Sequence, residues 1–231
     1  MGTSVRPAIW VTVVVGLVSV SAFSLVTALN SEPQVFSVVA NADTFVSTFE
    51  PDVAQGKDHT MWITRADGQL NWSLISFNLG GRMRPGDLVS DSRIQLFLVA
   101  TEGTSYPATI VTGRLLAPFS ETTTTFDVKT PMGFDTRTAT VVKADRPAGD
   151  AIWIDVSKQL NRWHSYGGPS NFGTVMQLAS DVNDASIGLA SRENTQYDPP
   201  RIQVKYNPGP QSLYGYLVET GVDQIVAARF D

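Results

Sequence analysis

Ile94-Gln95-Leu96-Phe97-Leu98 alternates aliphatic and other side chains, and a period of two places Ile94, Leu96 and Leu98 together on one face of a strand. Ile152-Trp153-Ile154-Asp155-Val156 and Ile202-Gln203-Val204-Lys205-Tyr206 repeat the pattern. Ile75, Phe77 and Leu79 share one strand face, with Leu74, Ser76 and Asn78 on the other. The β-branched run Thr122 to Thr125, followed by Phe126-Asp127-Val128, also favours extended chain. Turn signals separate these runs: Asp67-Gly68, Gly80-Gly81, Pro85-Gly86, Pro147-Ala148-Gly149, Gly167-Gly168-Pro169 and Pro199-Pro200. Short strands at such spacing predict an all-β, jelly-roll-like antiparallel sandwich, not alternating βαβ units. One short helix interrupts them: Val156, Leu160 and Trp163 fall at i, i+4 and i+7, Ser157 can cap, and Gly167-Gly168 closes the segment. This helix is expected to plug one end of the sandwich, with Trp163 in the core.

The Asp67-Gly68 turn carries a conflict of parity. A two-residue hairpin pairs Ile63 with Trp72 and puts Trp72 on the face opposite Ile75, Phe77 and Leu79. A bulge or a longer loop would remove the conflict.

The 231 residues are 42% hydrophobic and 17% charged, with a formal net charge of −5. That is the composition of a folded domain, and it argues against a nucleic-acid partner, which requires a dense cationic face. There are no cysteines, so thiol catalysis, thiolate metal sites and disulfide staples are excluded. Arg6 followed by an apolar stretch from Ala8 to Leu29 has the layout of an export signal, with Val26-Thr27-Ala28 as the small residues before a cleavage point. The same stretch has nearly the length of a membrane span, so residues 1–28 read as a signal peptide or an N-terminal anchor, with membrane attachment only if they are retained. In both cases the remainder is expected outside the cytoplasm, secreted or at the cell surface. Residues 29–40 form an extension, 41–206 the sandwich, and 207–231 a tail with two strand-like runs, Leu213 to Glu219 and Gln224 to Phe230. Both Gln34-Val35-Phe36-Ser37-Val38-Val39 and the tail can return to the sandwich edge or add to a neighbouring copy's sheet.

Scattered residues in a fixed order carry a resemblance. Ala42-Asp43-Thr44-Phe45-Val46 opens it. Met61-Trp62-Ile63, Leu74 to Leu79 and Ser92 to Leu98 follow, and then Asp155-Val156 with Leu160 and Trp163, and Asn171-Phe172-Gly173. Ala190-Ser191-Arg192-Glu193 and Pro199-Pro200-Arg201-Ile202-Gln203-Val204-Lys205-Tyr206 close the set. Over residues 40 to 206 the chain resembles the disaggregatase-related (DNRLRE) domain, grouped with alginate-binding carbohydrate-binding modules. It departs from that pattern where a tryptophan-bearing stretch is reduced to Phe119-Ser120-Glu121 and the threonine run. The resemblance implies a jelly-roll sandwich with a polysaccharide-binding, adhesive or wall-associated role outside the cell.

Trp62 has the opposite parity to Met61 and Ile63, so it either faces solvent, where it suits stacking on a sugar ring, or packs under a loop or against the second sheet. Trp72 is a second candidate, and Trp153, between Ile152 and Ile154, is exposed or interfacial by the same parity. For an anionic polysaccharide the sparse cations are Lys57, Arg65, Arg93 and, in a Gly/Pro-flanked loop, Arg82 and Arg84. Arg192 and Glu193 read as structural, with Asp43 and Asp155 as partners for the Arg192 fork. The same two aspartates are the candidate ligands of a structural calcium ion, and Asp181-Val182-Asn183-Asp184 is another oxygen-rich loop. No nucleophile elbow, zinc helix or phosphate loop occurs. Glu50, Glu102 and Glu121 are glutamates at loops or strand ends without an evident pair for glycoside hydrolysis, and His164 with Tyr166 follows the structural helix. The expected function is non-catalytic binding of a polysaccharide or cell-envelope component. The alternatives are a homo-oligomeric subunit of an extracellular filament or surface layer built by terminal strand exchange, and a polysaccharide-degrading enzyme.

Overall fold

The computed structural model describes residues 32–84, 87–128, 132–143, 146–165 and 171–209. Its elements in chain order are β1 (Gln34–Val39), β2 (Ala42–Ser47), β3 (Thr60–Ala66), β4 (Gln69–Ser76), β5 (Leu88–Gly103), β6 (Ala108–Leu115), β7 (Met132–Val142), β8 (Ala151–Asp155), α1 (Ser157–Ser165), β9 (Thr174–Leu178), β10 (Asp184–Ala190) and β11 (Arg201–Asn207). All strand pairs are antiparallel, and the architecture is the expected all-β sandwich with one short helix. The apolar segment 8–29, the tail strands after residue 209, Gly167-Gly168 and Tyr166 lie outside the described residues.

The three alternating segments are neighbours in space. Ile94 of β5 pairs with Ile154 of β8 on one side and Ile202 of β11 on the other, and all three are fully buried in one apolar row. The sixteen-residue β5 belongs to both layers. Its first part pairs with β8 and β11, and its end pairs with β10, after a register shift opposite Gly188 and Leu189. β10 continues through β3 and β4 to β2, β9, β6 and β7. Gln34–Val39 pairs with β11 of its own chain along its whole length, so this extension returns to the sandwich edge.

The β3–β4 turn is a two-residue hairpin. Asp67 and Gly68 have φ of 49° and 80°, the double positive φ of a type I′ turn, which glycine adopts without Cβ strain. No bulge is needed, because the hairpin ladder stops at Thr64 and Asn71. Beyond that point β4 pairs with β9 in place of β3, with Ser73 opposite Met176, while β3 continues along β10, with Ile63 opposite Ile187, and β4 along β2, with Trp72 opposite Val46. β4 is then buried on both faces. Ile75 joins the main core, while Leu74 joins a second cluster with Val46, Leu115 and Val175. Trp72 packs against that cluster, its ring centroid 5.3 Å from that of Phe126.

The threonine run that covers this second cluster is a loop of turns, not the expected strand. Its hydroxyls bond locally: Thr124 Oγ1 accepts from the Ser120 N–H at 2.9 Å, Ser120 Oγ accepts from the Thr122 N–H at 3.3 Å, and Thr125 Oγ1 accepts from the Val128 N–H at 3.3 Å. Such side-chain to backbone bonds compete with a strand ladder and here replace it.

Helix α1 buries Val156, Leu160 and Trp163 as its spacing requires. Asp155 Oδ1 accepts from the Ser157 N–H at 2.8 Å, and Ser157 Oγ accepts from the Ser92 N–H at 2.8 Å. Asp155 therefore satisfies a helix-end donor, while Ser157 ties the helix to β5. On its inner side the fully buried Gln159 donates to Thr112 Oγ1 of β6 at 3.0 Å and accepts from Thr174 Oγ1 of β9 at 2.8 Å. The plug is thus fastened to three strands by satisfied polar groups as well as by apolar contact.

Candidate functional site

Consecutive registers align Glu102 of β5, Ser186 of β10, Thr64 of β3, Asn71 of β4 and Ser47 of β2 across five adjacent strands. Directly opposed residues share a face of the sheet, so this is a polar row. All five line one open groove of about 390 Å³. Thr64 and Ser186 share a 2.5 Å hydrogen bond between hydroxyls, and Asn71 Nδ2 donates to Thr64 Oγ1 at 3.1 Å. The row is therefore held in place before any ligand arrives.

Trp62 stands beside this row. Met61 and Ile63 are buried in the core, whereas Trp62 is half-buried and lines the groove, as its parity requires. Its cross-strand partner is Gly188. A Cβ placed on Gly188 would lie 3.1 Å from two atoms of the indole six-membered ring and 3.0 Å from Thr60 Cγ2. The glycine is what lets the indole lie so close to the β10 backbone. Phe49, 71% exposed, and the buried Phe45 add aromatic surface to the same groove.

Two of the glutamates that the sequence could not pair, Glu50 and Glu102, line this groove, as does Asp184. Asp184 Oδ2 accepts from the Thr104 N–H at 3.0 Å and from Thr104 Oγ1 at 2.6 Å. Glu50 Oε2 accepts from Gln55 Nε2 at 2.6 Å.

The other candidates sit elsewhere. Trp72 belongs to the second apolar cluster and does not line the groove. Arg82 and Arg84 are exposed in the loop after β4, where the Arg82 N–H donates to the Leu79 carbonyl and the Arg84 N–H to Asp87 Oδ2. Neither arginine lines the groove. Trp153 is 42% exposed and lies opposite Gln95 on the β8–β5 ladder. Asp43 and Asp155 are not brought together: the first pairs with Ile75 on β2, the second with Arg93 on β8. Among the described residues no group of three or more His, Asp or Glu side chains is arranged to hold a metal ion.

Of the two aspartates, Asp43 is the one that meets Arg192. Asp43 Oδ2 accepts from the Arg192 N–H at 2.9 Å, and the Asp43 N–H donates to Glu121 Oε1 at 2.8 Å. The guanidinium reaches the Asn41 carbonyl and lies 3.3 Å from Glu193 and 3.6 Å from Glu121. Burial pushes the Asp43 carboxyl up to about 7; the Arg192 N–H opposes this, and the charge of Glu193 adds to it. This knot joins β2, the threonine loop and the β10–β11 connection, a structural role for Arg192 and Glu193. Glu121 was visible in the sequence only as an isolated glutamate, because its partners are 78 and 71 positions away.

No protein family model matches the chain, and no curated protein matches it. Among the described residues no helix is long and apolar enough to cross a membrane.

Proposed function

We propose that the chain is a non-catalytic, extracellular saccharide-binding protein whose groove holds a polysaccharide, with Trp62 as the stacking platform. The observation that carries this reading is the coincidence, in one open groove, of an indole packed close to a glycine backbone and a cross-strand row of hydroxyl and amide groups. A sugar ring offers a flat C–H face and a rim of hydroxyls. An indole face matches the first, and fixed Ser, Thr and Asn side chains match the second. The resemblance to the DNRLRE domain supports the same role, and the export-signal layout of the N-terminus supports its place outside the cell.

Affinity electrophoresis through gels containing neutral, cationic or anionic polysaccharides tests it. The parent protein is retarded by at least one of them, and Trp62→Ala loses about 1–3 kcal/mol of binding, roughly five- to 150-fold. Gly188→Ala displaces the indole and weakens retention as well, at a stability cost of about 1–3 kcal/mol from overpacking. Absence of retardation on every glycan, or an undiminished Trp62→Ala, would contradict the proposal. Release of reducing ends from a retained glycan would contradict its non-catalytic part, which the presence of Glu50 and Glu102 in one groove makes worth assaying.

One observation favours the assembly reading as a second role. Among the described residues β1 ends the strand order, and its sequence Gln-Val-Phe-Ser-Val-Val contains neither charge nor proline, the usual guards of an edge. If copies add strand to strand here, the parent sediments as concentration-dependent oligomers and the exposed-face variant Val35→Lys shifts them to monomers. A parent that stays monomeric at all concentrations rules this role out.

A further inference from the structure

We infer that the groove selects a glycan carrying free amines, a polymer of protonated amino sugars, and rejects uronate polymers. The inference rests on the saccharide-binding reading and adds the charge of the ligand. Three carboxylates line the groove, Glu102 and Asp184 where β5 and β10 meet and Glu50 in the loop after β2, and no Lys or Arg is among the lining residues. None of the cations named from sequence lines the groove: Arg82 and Arg84 are in the loop after β4, Arg93 is on the β5–β8 ladder, Lys57 is in the loop before β3, and Arg65 is on β3 between the lining residues Thr64 and Ala66. A cleft lined by one sign of charge concentrates ligands of the other sign and repels its own. An ammonium group on a sugar stacked at Trp62 gains from the carboxylates and from the negative face of the indole. A uronate in the same place meets three like charges, with no Lys or Arg among the described lining residues to offset them. The ligand class thus runs opposite to the acidic polysaccharide that the family resemblance implies.

Calorimetric titration of the whole protein with three oligosaccharides of equal length tests this: glucosamine, N-acetylglucosamine and uronate oligomers in mildly acidic buffer. The expected result is that the glucosamine oligomer binds at least tenfold more tightly than its N-acetylated counterpart, that the advantage shrinks as salt is added, and that the uronate does not bind. The Glu50→Gln/Glu102→Gln double variant, which keeps the shape of both side chains, loses most of that tenfold advantage. Uronate binding equal to or tighter than glucosamine binding, or no discrimination between amine and acetamide, overturns the charge selectivity and leaves the saccharide reading standing. Failure of all three to bind overturns the charge selectivity, and the saccharide reading falls with it if the gels retard the protein on no glycan.

Discussion

Trp163→Ala lowers the unfolding free energy by about 3–5 kcal/mol, the cost of emptying a fully buried aromatic site. The indole is 2% exposed and packs with Val156 and Leu160 at the end of the main core. Around it the helix is pinned by Gln159 to β6 and β9 and by Ser157 to β5, so the backbone has little freedom to collapse into the space. Urea denaturation of parent and variant measures the loss, with the midpoint moving and the slope unchanged. A loss below about 1 kcal/mol would mean that the helix is an ornament on the sandwich and not its plug.

Asp43→Asn removes a pH dependence of stability. In the folded protein burial holds the Asp43 carboxyl protonated up to about 7, against 3.8 for the free side chain. Between these values the folded state binds the extra proton, so stability falls as pH rises through the window. The advantage is complete below 3.8 and is gone above about 7. Its full size is about 4 kcal/mol, from roughly 1.36 kcal/mol per pH unit of displacement. Asp58 is also raised by burial and adds a slope of the same sign, so the quantity to measure is the difference between parent and variant. Asparagine keeps an oxygen for the Arg192 N–H and cannot ionise. Denaturation at pH 4 and pH 7.5 should show the parent losing several kcal/mol more than the variant over that interval. Equal losses would show that Asp43 is charged in the folded protein, compensated by Arg192.

Much of the fold was readable because its signals are local. The alternation in β5, β8 and β11, the Asp67-Gly68 hairpin and the Val156–Leu160–Trp163 stripe each depend on residues within a few positions of one another. The threonine run misled because β-branching favours extension, while the hydroxyls beside it offered the backbone local partners, and those won. Trp72 misled for a different reason. Strand parity assigns two faces to a strand but cannot tell that both are covered, and β4 is covered on one side by a loop whose sequence reads as a strand. At the site, the parity of Trp62 placed it correctly. The row from Glu102 to Ser47 was invisible, because it exists only through the registers of four strand pairs, two of them joining residues more than 80 positions apart. For the same reason Glu50 and Glu102 looked unrelated, and Gly188 looked like an ordinary strand glycine. Its meaning lies in the indole across from it.

The most direct measurement is an NMR titration that follows the tryptophan indole N–H signals as an oligosaccharide retained by the protein is added. Groove binding moves the Trp62 signal in a saturable manner and leaves those of Trp153 on the outer sheet and Trp163 in the core in place. A saturating shift at Trp153 with Trp62 unmoved would transfer the site to the opposite sheet and contradict the account.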